Sequence, residues 1–121
     1  MHRKIFLLLS FFTMFSVLSA CSNTEVDNKA TFTYSVIIDV RTPEEFALGH
    51  LKGAVNIDFN ANDFDQRIKS LDPKDKYLIY CRSGNRSSQA LKRMQEYGFN
   101  NIIDLGSVES ASLSTGIDII S

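Results

Sequence analysis

Residues 77–87 pass from an apolar run through a charged loop into the start of a helix, and they are Tyr77-Leu78-Ile79-Tyr80-Cys81-Arg82-Ser83-Gly84-Asn85-Arg86-Ser87. The apolar run 77–80 predicts a strand buried on both faces, as in a parallel sheet. Beyond the loop, Leu91 and Met94 fall at helical spacing and predict a helix over 87–97 with these side chains on its inner face. The segment therefore predicts a buried strand joined to a helix by a short polar loop.

The segments on either side continue this alternation of strands and helices. Apolar and β-branched runs predict strands over 36–38, 54–57 and 101–104, and apolar residues at helical spacing predict a helix over 62–71. Weaker patterns predict a helical turn over 108–113 and an extended segment over 117–120. We therefore expect a single α/β domain, in which helices flank a mainly parallel sheet and the functional site lies at the carboxyl ends of the strands.

A capping box marks the start of one more helix. Thr42 is suited to the N-cap, Pro43 to the first helical position and Glu45 to the third, where its carboxylate can reach back to the N-cap. This pattern predicts a helix over 43–48 that stops at Gly49.

Length and composition fit one small globular domain. The chain has 121 residues, of which 44% are hydrophobic and 22% charged, so a second domain has no room. The net charge is −1, with both signs interspersed and no basic stripe interleaved with aromatic residues. Nucleic acid is therefore not expected as a partner.

The N-terminal segment has the pattern of a secretory signal. Positive charge at Arg3 and Lys4 precedes a mostly apolar run over 5–18, which is shorter than the roughly 20 residues of a transmembrane helix. The run ends in Leu18-Ser19-Ala20-Cys21, which resembles the lipobox of bacterial lipoproteins. An uncleaved helical anchor and ordinary signal cleavage nearby are the two alternatives.

The lipobox resemblance implies that Cys21 is the lipidation site. It divides the chain into a signal peptide over 1–20, a polar tether over 21–30 and a folded domain over 31–121. The expected location is the periplasmic side of a bacterial membrane, to which acyl chains anchor the exported protein.

If Cys21 is acylated, Cys81 is the remaining thiol, and its surroundings suit a nucleophile. It ends a predicted strand, and the loop amides and the following helix can form an anion cradle that favours thiolate over thiol. Arg82 and Arg86 add positive charge, while Gly84 permits an unusual backbone conformation. Further hydroxyl and amide donors come from Ser83, Asn85 and Ser87. A buried core cysteine in a plain strand-to-helix connection is the alternative.

Two motifs resemble the rhodanese family of sulfurtransferases. The loop Cys81-Arg82-Ser83-Gly84-Asn85-Arg86-Ser87 is similar to the active-site loop of single-domain rhodaneses. The upstream segments 38–46 and 49–57 are similar to that family's leading motif, and both motifs come in the family's order. With its short front end and secretory signal, the chain most resembles the exported phage-shock-type rhodaneses.

The resemblance implies an α/β fold and a sulfur-transfer reaction without a metal or an organic cofactor. Cys81 would take sulfane sulfur from thiosulfate, release sulfite and pass the sulfur of its persulfide to cyanide or a thiol. The amides of residues 82–87 would cradle the sulfur and the substrate oxyanion. Asp39 and Arg41 match a family motif near the loop, where we expect either a supporting ion pair with Glu44 or Glu45 or a contact to substrate.

Two features of the sequence lie outside the matched loop. His50 could act as a base, but a structural hydrogen bond in a Gly-His turn is expected instead, since the family mechanism uses no histidine at that position. Many relatives follow the last strand with Gly-Gly and, a few residues later, Trp. Here Gly106-Ser107 follows Leu105 and the chain has no Trp, so the resemblance does not extend to the packing beneath the loop.

Two other functions are compatible with parts of the pattern. Phosphatases and arsenate reductases also place a cysteine at a strand end, but their loop is Cys-x5-Arg, whereas Cys81 and Arg86 form Cys-x4-Arg with a tighter ring. A rhodanese-like binding module without turnover is the second alternative, although inactive relatives usually lack the cysteine. A thiosulfate:cyanide assay distinguishes the sulfurtransferase from the binding module.

Overall fold

The computed structural model describes residues 36–121, so the predicted signal peptide, tether and lipidation site Cys21 lie outside the described residues. Its elements in chain order are β1 (Val36–Asp39), α1 (Pro43–Leu48), β2 (His50–Leu51), β3 (Val55–Asn56), α2 (Phe64–Lys69), β4 (Tyr77–Cys81), α3 (Asn85–Glu96), β5 (Ile102–Ser107), α4 (Val108–Thr115) and β6 (Ile119–Ile120).

Four strands form a parallel sheet in the order β3-β1-β4-β5. Strand β4 lies inside this sheet, and each of its five residues is buried. The strands β2 and β6 pair separately and antiparallel, with His50 opposite Ile120 and Leu51 opposite Ile119. The predicted α/β architecture with a mainly parallel sheet is confirmed.

The two faces of the sheet are covered by different helices. Because side chains alternate along a strand, Tyr77, Ile79 and Cys81 of β4 face one core, which also contains residues of α2 and α3. Tyr80 faces the second core, together with Leu51, Val108 and Ala111. Cys81 therefore ends the central strand directly above a packed layer of apolar side chains.

Helix α1 begins as the capping box predicts. The Glu45 N–H donates to the Thr42 hydroxyl oxygen at 3.3 Å, and the Thr42 N–H donates to the Glu45 carboxylate at 3.0 Å. Such reciprocal bonds satisfy two backbone donors that a helix start leaves unpaired. The helix ends at Leu48, and Gly49 follows.

Other boundaries differ from the prediction. Helix α3 begins at Asn85 rather than Ser87, because Gly84 takes a left-handed conformation with φ +94° and serves as its N-cap. Helix α2 is shorter than predicted, since it covers only Phe64–Lys69. Strand β5 extends to Ser107, and β2 was not predicted at all.

Candidate active site

Cys81 lies at the carboxyl end of β4, where the parallel strands end together. Its residue surface is 0% exposed, and the Gly84 N–H donates to its Sγ at 2.9 Å. The loop between β4 and α3 is therefore folded back over the sulfur.

Two opposing influences act on the thiol. Burial raises the pKa of Cys81, but the polar groups of Ser87, Gly84 and Ser83 around the sulfur lower it. The net effect holds the pKa of the Cys81 thiol below its usual value. The loop amides thus favour the thiolate, which is the nucleophilic form.

The polar residues of the loop occupy different positions. Ser87 is completely buried, and its hydroxyl donates to the Gly84 carbonyl oxygen at 3.2 Å. Ser83 and Asn85 are exposed, and the Asn85 side-chain oxygen accepts from Gln89 Nε2 at 3.2 Å. Of the predicted side-chain donors, Ser87 therefore lies beneath the loop with the sulfur, and the other two face solvent.

The loop rests against the end of β5. A side-chain carbon at Gly84 would lie 3.5 Å from the Gly106 Cα, and both glycines have positive φ, +94° and +78°. Ser107 has φ −81°, which any residue adopts, and its hydroxyl oxygen accepts from the Ser110 N–H to cap α4. A second glycine is therefore not required in this chain where many relatives have one.

Arg86 makes a bidentate ion pair with Glu45. Its two terminal nitrogens donate to the two carboxylate oxygens at 2.7 Å and 2.9 Å, and the side chains are 21% and 25% exposed. The hydrogen bonds from Arg86 lower the pKa of Glu45 to about 2 despite partial burial. This pair ties the start of α3 to α1, whose N-terminus the same carboxylate also caps.

Asp39 and Arg41 pair with each other. The Arg41 guanidinium donates to both Asp39 carboxylate oxygens, with the shortest bond at 2.7 Å, and also to the Gly49 carbonyl oxygen at 2.6 Å. The expected ion pair of these residues with Glu44 or Glu45 is wrong, because Asp39 is completely buried beside Arg41 and Arg86 takes Glu45 instead. Their pair fixes the turn after α1 to the end of β1.

His50 has the structural role that the sequence predicts. Its Nδ1 lies 2.8 Å from the Phe46 carbonyl oxygen, and its ring stacks on the Phe46 ring with centroids 3.6 Å apart. The ring therefore belongs to the turn that follows α1.

Three site residues were missed by sequence reasoning. Glu45 was recognised as a helix cap and not as the partner of Arg86. The Asn56 amide donates to the carbonyl oxygens of Asp39 and Arg41, and the Tyr80 hydroxyl accepts from the Leu51 N–H at 3.0 Å. A polar group inside an apolar strand was the available signal for Tyr80 and Asn56, since buried polar groups need partners.

An open cavity of about 470 Å³ lies beside the loop. Its lining includes Arg41, Glu45 and Arg82 from the site described above and Leu48 and Ile119 from α1 and β6. Cys81 itself does not line it. The loop contributes Arg82, the residue that follows Cys81, to this lining.

Within residues 36–121, no helix is long and apolar enough to cross a membrane. The same residues contain no cluster of three or more His, Cys, Asp or Glu side chains that could hold a metal ion.

The family model of the rhodanese-like domain matches residues 22–110. The thiosulfate sulfurtransferase PspE of Escherichia coli is 31% identical over 78 residues, which cover 63% of this chain and 73% of that protein. The adenylyltransferase and sulfurtransferase uba4 of Ogataea parapolymorpha is 29% identical over 75% of this chain. This chain spans only 23% of that protein and 36% of a larger Bacillus subtilis relative.

Solved structures have the same fold. The crystal structure of a rhodanese-related protein from Thermoplasma volcanium superposes with a TM-score of 0.59 at 27% identity. The match covers 70% of this chain and 82% of that chain.

Proposed function

The chain belongs to the rhodanese-like family, and we propose that it is a thiosulfate sulfurtransferase that carries sulfur as a persulfide on Cys81. One observation carries this proposal. The Gly84 N–H donates to the completely buried Cys81 Sγ at 2.9 Å, and the polar groups of the loop hold the pKa of Cys81 below its usual value. The amides that stabilise a thiolate can also stabilise the terminal sulfur of a persulfide, because both are anions.

The proposed reaction has two steps that balance. The Cys81 thiolate attacks the outer sulfur of thiosulfate, a new S–S bond forms, and the S–S bond of thiosulfate breaks to release sulfite with the bonding pair. Cyanide or a thiolate then attacks the outer sulfur of the persulfide, and Cys81 leaves as a thiolate. No proton carrier is needed, which agrees with the structural role of His50.

We assign the loop residues to substrate binding and the buried Asp39–Arg41 ion pair to structural support of the site. The amides of residues 82–87 would hold the sulfur and the substrate oxyanion, and the exposed Arg82 would attract the dianionic donor. Arg86 would position the loop and add a fixed charge, since Glu45 holds its guanidinium. Asp39 and Arg41 would keep the neighbouring turn in place.

The test is a thiosulfate:cyanide assay on the full chain purified in detergent. We expect thiocyanate formation and, after thiosulfate alone, a mass increase of one sulfur atom that is absent from Cys81→Ser. Absence of both thiocyanate and the adduct would favour a binding module. Efficient hydrolysis of an aryl phosphate would instead favour the phosphatase alternative.

We also propose that the protein is exported and anchored through an acylated Cys21, on the strength of the N-terminal sequence alone. Palmitate labelling of cells that express the chain tests this proposal. Cys21→Ser should abolish the label, and a label that survives this change would contradict lipidation at Cys21.

A further inference from the structure

The cavity beside the loop has an apolar wall that the proposed chemistry does not use. Leu48, the last residue of α1, is 85% exposed, and Ile119 of β6 is 44% exposed. The pairing of β6 with β2 holds Ile119 near Gly49, where a side-chain carbon would lie 3.3 Å from the Ile119 Cγ2. Two large apolar side chains from distant parts of the sequence therefore line the same cavity.

Two of the four charged residues that line this cavity form no ion pair with the described residues. Its other two charged residues, Arg41 and Glu45, are held by Asp39 and Arg86. Arg82 and Glu109 also line the cavity, and neither forms an ion pair with any of residues 36–121. As far as residues 36–121 show, the cavity thus offers one cation and one anion without an ion-pair partner, beside an apolar wall.

The size of the cavity exceeds what the small ligands require. Its volume is about 470 Å³, within the roughly 300–1,000 Å³ of sites that enclose organic ligands. Thiosulfate and cyanide have neither apolar groups for Leu48 and Ile119 nor a cation for Glu109. A larger ligand with all three features would use the whole cavity.

We infer that the cavity binds the sulfur acceptor and that this acceptor is a zwitterionic organic thiol with an apolar side group, such as a short cysteine peptide. Its carboxylate would pair with Arg82, its ammonium with Glu109, and its apolar group would cover Leu48 and Ile119. The inference rests on the proposed function. The acceptor thiolate attacks the outer sulfur of the Cys81 persulfide, the S–S bond to Cys81 breaks, and an organic persulfide and the Cys81 thiolate result.

Two dipeptides with the same charges test the apolar wall. The full chain in detergent is given thiosulfate and either Leu-Cys or Gly-Cys, and sulfite release above the uncatalysed rate is measured. We expect kcat/KM to be about tenfold higher for Leu-Cys, because the leucine side chain buries apolar area against the wall. Leu48→Ala and Ile119→Ala should each lower this ratio about threefold to fivefold.

Leu113→Ala is the matched control, because Leu113 is a leucine of similar exposure, 87%, that does not line the cavity. It should leave the ratio unchanged.

A second comparison tests the charged residues. It uses Leu-Cys and N-acetyl-Leu-Cys, which lacks the ammonium group. For the unaltered chain, kcat/KM should be about fivefold higher with Leu-Cys than with N-acetyl-Leu-Cys, and Glu109→Gln should abolish that difference.

The outcomes separate this inference from the proposed function. Turnover with cyanide but equal kcat/KM for the two dipeptides would overturn the acceptor assignment alone. A preference for Leu-Cys that Leu113→Ala reduces as much as Leu48→Ala does would also overturn it. No turnover with cyanide or with any thiol would overturn the proposed function and this inference together.

Discussion

Arg82 and Arg86 stand in the same short segment and carry the same charge, yet their surroundings differ. Both terminal nitrogens of Arg86 donate to Glu45, and the side chain is 21% exposed. Arg82 is exposed, lines the open cavity and makes no ion pair with the described residues. Arg86 is therefore held by another residue of the protein, whereas Arg82 is available to bind a ligand.

An arginine near a reactive sulfur can therefore serve either of two separate purposes. A guanidinium held by a carboxylate fixes the position of the helix that carries it, and its charge is largely balanced locally. A free guanidinium in solvent contributes little to stability but can bind an anion directly. Substitutions at the two positions should therefore have different signatures in stability and in KM.

Cys81→Ser should have the largest effect on activity, because the proposed roles of both arginines depend on this sulfur. A serine hydroxyl cannot form a persulfide, so we expect kcat/KM for thiosulfate to fall more than about 10³-fold. Initial rates with thiosulfate and cyanide measure the change. Retained turnover in this variant would remove the basis for assigning any role to Arg82 or Arg86.

Arg86→Ala should affect both activity and stability. It leaves the Glu45 carboxylate without its partner and loosens the start of α3, so we expect kcat/KM to fall about 10- to 100-fold and the free energy of unfolding to fall by about 2 kcal/mol. Rates and urea unfolding measure the two effects.

Arg93→Ala is the control for Arg86→Ala. Arg93 lies on the same helix and pairs with Asp65 at the surface, with side chains 40% and 46% exposed, and its guanidinium also lies over Phe59. This variant should lose some stability but little activity. If both variants lower activity equally, destabilisation of α3 explains the loss, and the Arg86 pair has no special role.

The pH dependence of stability should report the Glu45 ion pair. The pKa of Glu45 in the folded chain is about 2, below its ordinary value of 4.5, so the pair contributes fully above pH 4.5 and is lost as pH falls towards 2. We expect this carboxylate to account for about 2 kcal/mol of acid destabilisation. In Glu45→Gln, the free energy of unfolding should decrease less on acidification, by about this amount. The same pH dependence as in the unaltered chain would contradict a stabilising role for the Glu45 ion pair.

Arg82→Ala should alter ligand binding without altering stability. Loss of one charge-assisted contact should raise KM for thiosulfate about tenfold, and Tm should change by less than about 1 °C. A fall in Tm as large as that of Arg86→Ala would show that the two arginines are equivalent after all. The salt dependence of KM should also weaken, because an exposed charge is screened by salt.

His50→Ala should have the smallest effect on catalysis. The imidazole bonds to the Phe46 carbonyl oxygen and stacks on the Phe46 ring, so its loss should reduce stability by about 1 kcal/mol. We expect kcat/KM to stay within about twofold of the unaltered value. A loss as large as that of Arg86→Ala would show that the imidazole takes part in the reaction.

The elements that the sequence predicts well have local causes. Helix α1 follows from its capping box and from the glycine after Leu48, and β4 follows from an uninterrupted apolar run. The start of α3 is displaced because the φ of +94° at Gly84 lets the helix begin at Asn85, and the sequence does not specify that angle. Local sequence patterns therefore predict the helices and strands, whereas their exact ends depend on backbone angles that the sequence does not specify.

The contacts that the sequence does not predict join distant segments. Glu45 and Arg86 lie 41 positions apart, and several acidic residues could have paired with either arginine. The sequence predicts an extended segment over 117–120, which contains β6, but it predicts neither the two-residue strand β2 nor the pairing of β2 with β6. The Glu45–Arg86 ion pair and the apolar wall of the cavity both depend on such long-range contacts.

The burial of Cys81 has a consequence for the lifetime of sulfur at this position. Its surface is 0% exposed, so we expect peroxide, disulfides and alkylating agents in bulk solution to react slowly with the sulfur. The same burial should lower the rate of productive encounters and the rate of oxidative damage alike. A substitution that loosens the contact of Gly84 with Gly106 should therefore shorten the survival of the reduced thiol under peroxide, even where it speeds the entry of small donors.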